Sequence, residues 1–73
     1  MHVTLEATTV DRISPGDHLA HREGALWLVE SSSGSEHRIT LTLKREGDDG
    51  ESIYDTVERP HSGLVYRATL AEV

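Results

Sequence analysis

One stretch of the chain decides its fold class: Ile13-Ser-Pro-Gly-Asp-His-Leu-Ala-His-Arg-Glu-Gly-Ala-Leu-Trp-Leu-Val-Glu30. Within it, Pro15 presets the φ of the first central position of a type II turn, and Gly16 accepts the positive φ of the second. Gly24 has the left-handed position expected in a short β-hairpin. A tight turn, a short strand, a hairpin and a more apolar strand follow one another, which predicts a small all-β fold.

The remainder of the chain repeats its apolar residues with the period of two that marks half-buried strands. Two other segments separate some of the predicted strands: a single helical turn with Thr9 as its cap, and a flexible loop at Ser31–Ser35. Turn signals every eight to twelve residues are typical of a small sandwich or barrel. We therefore predict one domain, residues 1–73, folded as an SH3-like barrel of five or six short antiparallel strands, closed or nearly closed. The expected strands are 2–7, 17–21, 25–31, 37–45, 52–57 and 64–70.

Alternation also predicts which side chains share a face. Ile39, Leu41 and Leu43 give the cleanest pattern and are expected in the core. Trp27 and Val29 lie on one face of their strand and two leucines on the other, so both faces are expected to be covered. In the last strand Leu64, Tyr66, Ala68 and Leu70 share one face.

Residues 12–45 resemble the SH3-like barrels of translation proteins, and most closely the KOW-like N-terminal domain of elongation factor P. The matching residues are Pro15-Gly16-Asp17, Gly24, Trp27, Val29 and Glu30, followed by Ile39, Leu41 and Leu43. The resemblance implies a small barrel. The family's long loop is basic and carries a functional lysine, whereas Ser31-Ser-Ser-Gly-Ser-Glu36 contains none. The resemblance therefore implies the fold of the family but not its activity.

Composition limits the function classes. The 73 residues include no cysteine and no phenylalanine, so the core is built mostly of Val, Ile and Leu, and self-association is one way to bury more surface. The net charge of −6 disfavours binding to phosphate backbones. Ala25–Val29 is the longest apolar run, too short to cross a membrane. A cytoplasmic protein with no membrane contact and no nucleic-acid partner is expected.

Three groups of polar residues are candidates for chemistry, and each has a simpler explanation. His18 and His21 are an odd number of residues apart, which places them on opposite sides of a strand and argues against a shared metal. The acidic turn 46–51 lacks the spacing of a calcium loop and is expected to be a solvated hairpin tip. No sequence pattern brings a nucleophile, a base and an acid together. We expect no enzymatic activity, no cofactor and no metal.

Binding is the remaining class of function. Trp27, Tyr54, Arg38 and Lys44 are the candidate partner-binding residues, because polar aromatics concentrate at interfaces and the cations, together with Arg45, form a modest basic stripe. For Trp27 a place in the core is the preferred interpretation, because a chain without phenylalanine needs its aromatics there. The leading hypothesis is a non-catalytic binding or regulatory module that contacts a protein partner, a basic one in particular, through its acidic surface. The alternatives are a nucleic-acid-binding KOW-like module and a structural protein that self-associates through the strand at Ile39–Leu43.

Overall fold

The computed structural model describes the backbone of residues 2–71 and the side chains of residues 2–69. These residues form six β-strands and one short 3₁₀ turn, at Val10–Arg12. The strands are β1 (His2–Thr9), β2 (His18–His21), β3 (Ala25–Gly34), β4 (Arg38–Glu46), β5 (Ser52–Pro60) and β6 (Leu64–Ala71).

All six strands belong to one antiparallel sheet with the order β1-β6-β2-β3-β4-β5. The predicted small all-β class with six antiparallel strands is confirmed. The predicted closure into a barrel is wrong: the sheet is open, with β1 and β5 as its edges, because the described residues of these two strands are not paired with each other. β4 lies between β3 and β5, so Ile39–Leu43 is an interior strand. The prediction that it adds to another subunit's sheet is wrong, since both of its edges are already hydrogen-bonded.

The turns form where the sequence predicts them. Gly16 has φ +99°, and the Asp17 N–H donates to the Ser14 carbonyl at 3.1 Å, closing the proline–glycine turn. Gly24 has φ +74° in the β2–β3 hairpin, where Arg22 also has a positive φ. A side chain at either glycine would be held in a backbone region that L-residues rarely occupy.

Two local predictions are wrong. Ser31–Gly34 is the second half of β3 and not a flexible loop, because these residues pair with β4 beyond a bulge between Val29 and Ser31. The short serine side chains allow this pairing although the segment reads as a loop by composition. Thr9 makes no side-chain cap of the 3₁₀ turn, since its hydroxyl donates to the carboxylate of Asp11.

The core lies on the inner, concave face of the sheet. Leu41 and Leu43 are buried there as predicted, Val57 is buried beside them, and Ile39 packs against them half-buried. Burying one such aliphatic side chain contributes about 1.5–3 kcal/mol, so a handful of them supplies most of the driving force in a chain this small. The other buried members of the cluster are Val10, Ile13, Leu19, Trp27, Val29 and Val65.

The sheet is strongly curled, which is how one layer encloses a core. Although β3 and β4 separate β2 from β5, the side chains of His21 and Asp55 meet with 2.9 Å between Nε2 and Oδ2. A narrow cleft of about 140 Å³ runs along the seam, lined by β5, β6 and β2 residues such as Val57, Val65 and Leu19. β1 continues the sheet beyond β6 as its other edge.

The outer face of the sheet is also apolar, particularly on β6 and β1. Among the described side chains of β6, Val65 is buried on the inner face and the small Ala68 is buried on the outer face, where Leu64 and Tyr66 are 60% and 54% exposed. The shared face predicted for the apolar residues of this strand is therefore the outer one; the side chain of Leu70 lies outside the described part. In β1, Val3 and Leu5 are exposed as well.

Candidate functional site

A row of six side chains crosses the outer face, one from each strand. Residues directly opposite each other in an antiparallel pair lie on the same face, with Cβ atoms about 5 Å apart. The register of the sheet therefore joins the six positions into a continuous line. In sheet order the row is Leu5, Ala68, His18, Leu28, Lys44 and Tyr54.

The middle of this row borders a cleft, which we call the outer groove and define by His18, Leu26, Leu28, Lys44 and Glu46. Its volume is about 390 Å³, and Ala25 and Arg45 complete its lining. The groove thus combines two leucines with a cation and a carboxylate. An apolar floor with a few convergent polar groups is the usual composition of a binding site.

Tyr54 stands at the border of the outer groove. It is directly opposite Lys44 in the β4–β5 register and is 56% exposed. The alternation of Ile53 and Val57 predicts an outward-facing Tyr54, and the structure confirms it. The phenol offers apolar area and a hydroxyl to anything that enters the groove from the β5 side.

Negative charge is concentrated at the end of the groove where β4 stops. Glu46 leads into the turn 47–51, which carries Asp48, Asp49 and Glu51. The turn is closed by the Gly47 N–H, which donates to the Glu51 carbonyl at 2.7 Å, so the fold holds these carboxylates close together. None of the four makes an ion pair with a residue in the described part of the chain. They are available to attract a cationic partner.

A second group of polar residues lies on the inner face at the open end of the curl. The carboxylate of Asp55 accepts from Arg22 Nε at 2.8 Å and contacts His21. The hydrogen bond from His21, and then the backbone N–H of Thr56, hold the pKa of Asp55 below its ordinary value of 3.8. Burial acts in the opposite direction, and the charge of Arg22 adds a further, smaller lowering of this pKa. The group ties β2 to β5 across the mouth of the core.

Trp27 forms the base of this inner-face group. It is 3% exposed, with the His21 ring edge-on at 5.4 Å between centroids and the Arg45 guanidinium 5.1 Å from its ring centroid. Its indole Nε1 has no hydrogen-bond partner among the described residues. Trp27 therefore lies in the core. Arg45 lies beside it on the inner face, and not in the basic stripe expected on the outer face.

The four sequence candidates are therefore dispersed. Tyr54 and Lys44 are neighbours on the outer face, Trp27 is on the inner face, and Arg38 is at the far end of β4, where its Nε donates to Glu58 at 2.7 Å. Leu26, Leu28 and His18 are not among the four candidates, although the two leucines, which alternate with Trp27 and Val29, already indicate a second apolar face. This second apolar face of β3 is the one that lines the outer groove.

Three further findings concern the described residues only. His18 and His21 lie on opposite faces as expected, beside Leu28 and Trp27 respectively. Across residues 2–71 the structure brings no three His, Cys, Asp or Glu side chains together in a way that could hold a metal ion. Within the same range, it contains no helix with the length and apolarity needed to cross a bilayer.

Comparisons with protein-family models, with curated proteins and with solved structures return no match to this chain. The function is therefore argued from the geometry of the described residues alone.

Proposed function

We propose that this protein is a non-catalytic binding module that contacts a protein partner through the outer groove. The observation that carries the proposal is the exposure of Leu28 and Tyr54 beside Lys44 and Glu46, on a face that no described part of the chain covers. Contiguous exposed apolar side chains rimmed by polar groups are characteristic of interaction sites.

The groove also specifies the chemistry of the partner. Leu26 and Leu28 accept an apolar side chain, and Tyr54 has the amphipathic character of residues that dominate interface energies. Glu46 and the acidic turn 47–51 lie at one end, so a Lys or Arg next to the apolar side chain is favoured. The partner presents an apolar residue adjacent to a basic one, which makes the basic-partner hypothesis more specific.

A role in catalysis is not needed to explain the described acid–base groups. His21 and Asp55 are already engaged with each other and with Arg22, and they pack on Trp27 at the mouth of the core. Their arrangement connects strands that the sheet does not pair, which is a structural task. The proposal therefore assigns binding to the outer face and stability to the inner face.

The experiment is selection of binders to the full chain from a phage-displayed library of random twelve-residue peptides. Selected peptides are expected to carry a Leu, Ile, Phe or Trp next to Lys or Arg. In calorimetric titrations with the best synthetic peptide, Tyr54→Ala should weaken binding about tenfold or more, as for an interface hot spot. Raising the salt from about 0.05 to 0.5 M should weaken binding further, because it screens the acidic end of the groove.

The matched control is Tyr66→Ala. Tyr66 is as exposed as Tyr54 and lies on the same face, but it is directly opposite Ala20, which does not line the groove, whereas Tyr54 is directly opposite the lining residue Lys44. Its removal should leave the affinity unchanged. Acidic selected peptides, or a loss of binding in Tyr66→Ala with Tyr54→Ala unaffected, would contradict the proposal.

A further inference from the structure

We infer that β1 is a self-association edge, where it pairs antiparallel with β1 of a second copy about a two-fold axis. The six strands of each copy would then form one continuous sheet with a shared outer face. This inference is independent of the proposed function, because β1 contributes no residue to the outer groove.

The first argument is the contrast between the two edges of the sheet. β1 pairs with β6 over eight consecutive positions without a bulge, and its sequence has no proline or lysine and a single acidic residue, Glu6. β5 carries Asp55, Glu58 and Arg59 and ends at Pro60. Charged residues and proline are the usual means by which proteins block pairing at an exposed edge. One edge is protected and the other is not.

The second argument is where β1 puts its apolar side chains. Val3 and Leu5 face outward, about half exposed, whereas Glu6 is on the inner side. The guanidinium of Arg67 contacts the Glu6 carboxylate, so the single charge of the strand is compensated within its own copy. Outward-facing positions on β1, β6 and β2 within the described part include no Asp or Glu. Two chains of net charge −6 meet there without opposed carboxylates.

The third argument is that β1 has a register compatible with a two-fold axis. Because opposed residues must share a face, Leu5 can lie opposite Leu5 of the second copy, with Val3 opposite Ala7 and Thr4 opposite Glu6. This register brings apolar residues together on the outer face and opposes no like charges. Moving the axis by one residue toward the carboxyl end, which shifts the register by two positions, would place the two Glu6 side chains opposite each other. We therefore place Leu5 on the axis.

The first test is the mass of the full chain by light scattering and sedimentation velocity across a concentration series. The wild type should be a dimer. Leu5→Lys, which opposes two ammonium groups on the axis, should raise the dimer dissociation constant at least tenfold. Thr56→Lys is the matched control, since Thr56 is exposed on the outer face of the other edge, and it should remain dimeric. Circular dichroism checks that both variants stay folded.

The second test is oxidative cross-linking, which reads the register directly. The sequence has no cysteine, so Leu5→Cys provides a single thiol per chain. Directly opposed residues have Cβ atoms at distances that approach those of a disulfide, so Leu5→Cys should give a covalent dimer and Thr56→Cys should not. Salt should leave the dimer intact or strengthen it, in contrast to peptide binding at the groove.

A wild type that stays monomeric at the highest concentration would overturn the inference, as would cross-linking by Thr56→Cys in place of Leu5→Cys. Neither result would affect the proposed function, since Tyr54→Ala changes peptide binding without touching β1.

Discussion

The inner and outer faces of this sheet both carry large aliphatic and aromatic side chains, and only the inner face is covered. Leu41 and Leu43 on the inner face are fully buried, whereas Leu28 and Leu64 on the outer face remain in contact with solvent. The difference arises from curvature: the strands bend around the inner face and bring β5 toward β2. A face that curls inward stabilises the fold, and an equally apolar face that curls outward is free to bind.

The largest effect is expected from truncation on the inner face. Leu41→Ala removes a side chain with 0% exposure and should lower the free energy of unfolding by about 2–5 kcal/mol, measured by urea denaturation. In a chain of this length that is a large fraction of the total. Leu41→Met conserves volume and should cost less than about 1.5 kcal/mol, which distinguishes a cavity from a general intolerance of substitution. Equal losses for the two variants would contradict this assignment.

An intermediate effect is expected from the contacts of Asp55 with His21 and Arg22 on the inner face. The pKa of Asp55 is lowered in the folded state, chiefly by His21, so the ionised carboxylate stabilises the fold above its unfolded value of 3.8. That contribution is lost as the pH falls through the lower folded pKa. The wild type should therefore lose thermal stability more steeply below about pH 4 than Asp55→Asn, which should already be less stable at pH 7.

The control for the pH series is Asp48→Asn, in the exposed β4–β5 turn, whose profile should follow that of the wild type. If Asp55→Asn and the wild type lose stability in parallel below pH 4, the link between β2 and β5 does not depend on the charge of Asp55.

The smallest effect is expected on the outer face. Leu64→Ala truncates a leucine that is 60% exposed and should change the free energy of unfolding by no more than about 0.5 kcal/mol. It is the matched counterpart of Leu41→Ala, with the same chemical change on the opposite face. A loss comparable to that of Leu41→Ala would show that the outer face is covered in the folded state.

Much of the fold follows from local sequence signals. The proline–glycine turn and the Gly24 hairpin form because only a few residue types fit their backbone angles. The alternation in 37–45 correctly predicts the inward face of β4. The serine segment is different: its composition is typical of a loop, and only pairing with β4 makes Ser31–Gly34 a strand. A local sequence pattern does not show with which strand a segment will pair.

The candidate site was predicted in part. Tyr54 follows from alternation, because its neighbours Ile53 and Val57 face inward. Its approach to Lys44 depends on the β4–β5 register, and the approach of Lys44 to Leu28 depends on the β3–β4 register. Arg38 shares a strand with Lys44 but lies too far along it to join the groove. The order of the strands in the sheet is likewise not determined by local sequence. It therefore could not be predicted that β1 is an edge strand and β4 an interior one.

The sequence by itself determined the turns, the strands other than the segment Ser31–Gly34, and the division of each strand into two sides, because these depend on backbone preferences and on a period of two residues. In β4 the alternation also identifies the inward side, but in β3 and β6 only the tertiary structure decided which side became the interior. Apolar side chains lie on both sides of these two strands, and the choice rests on the direction in which the whole sheet curls. That direction depends on contacts such as His21 with Asp55, which join residues distant in the chain.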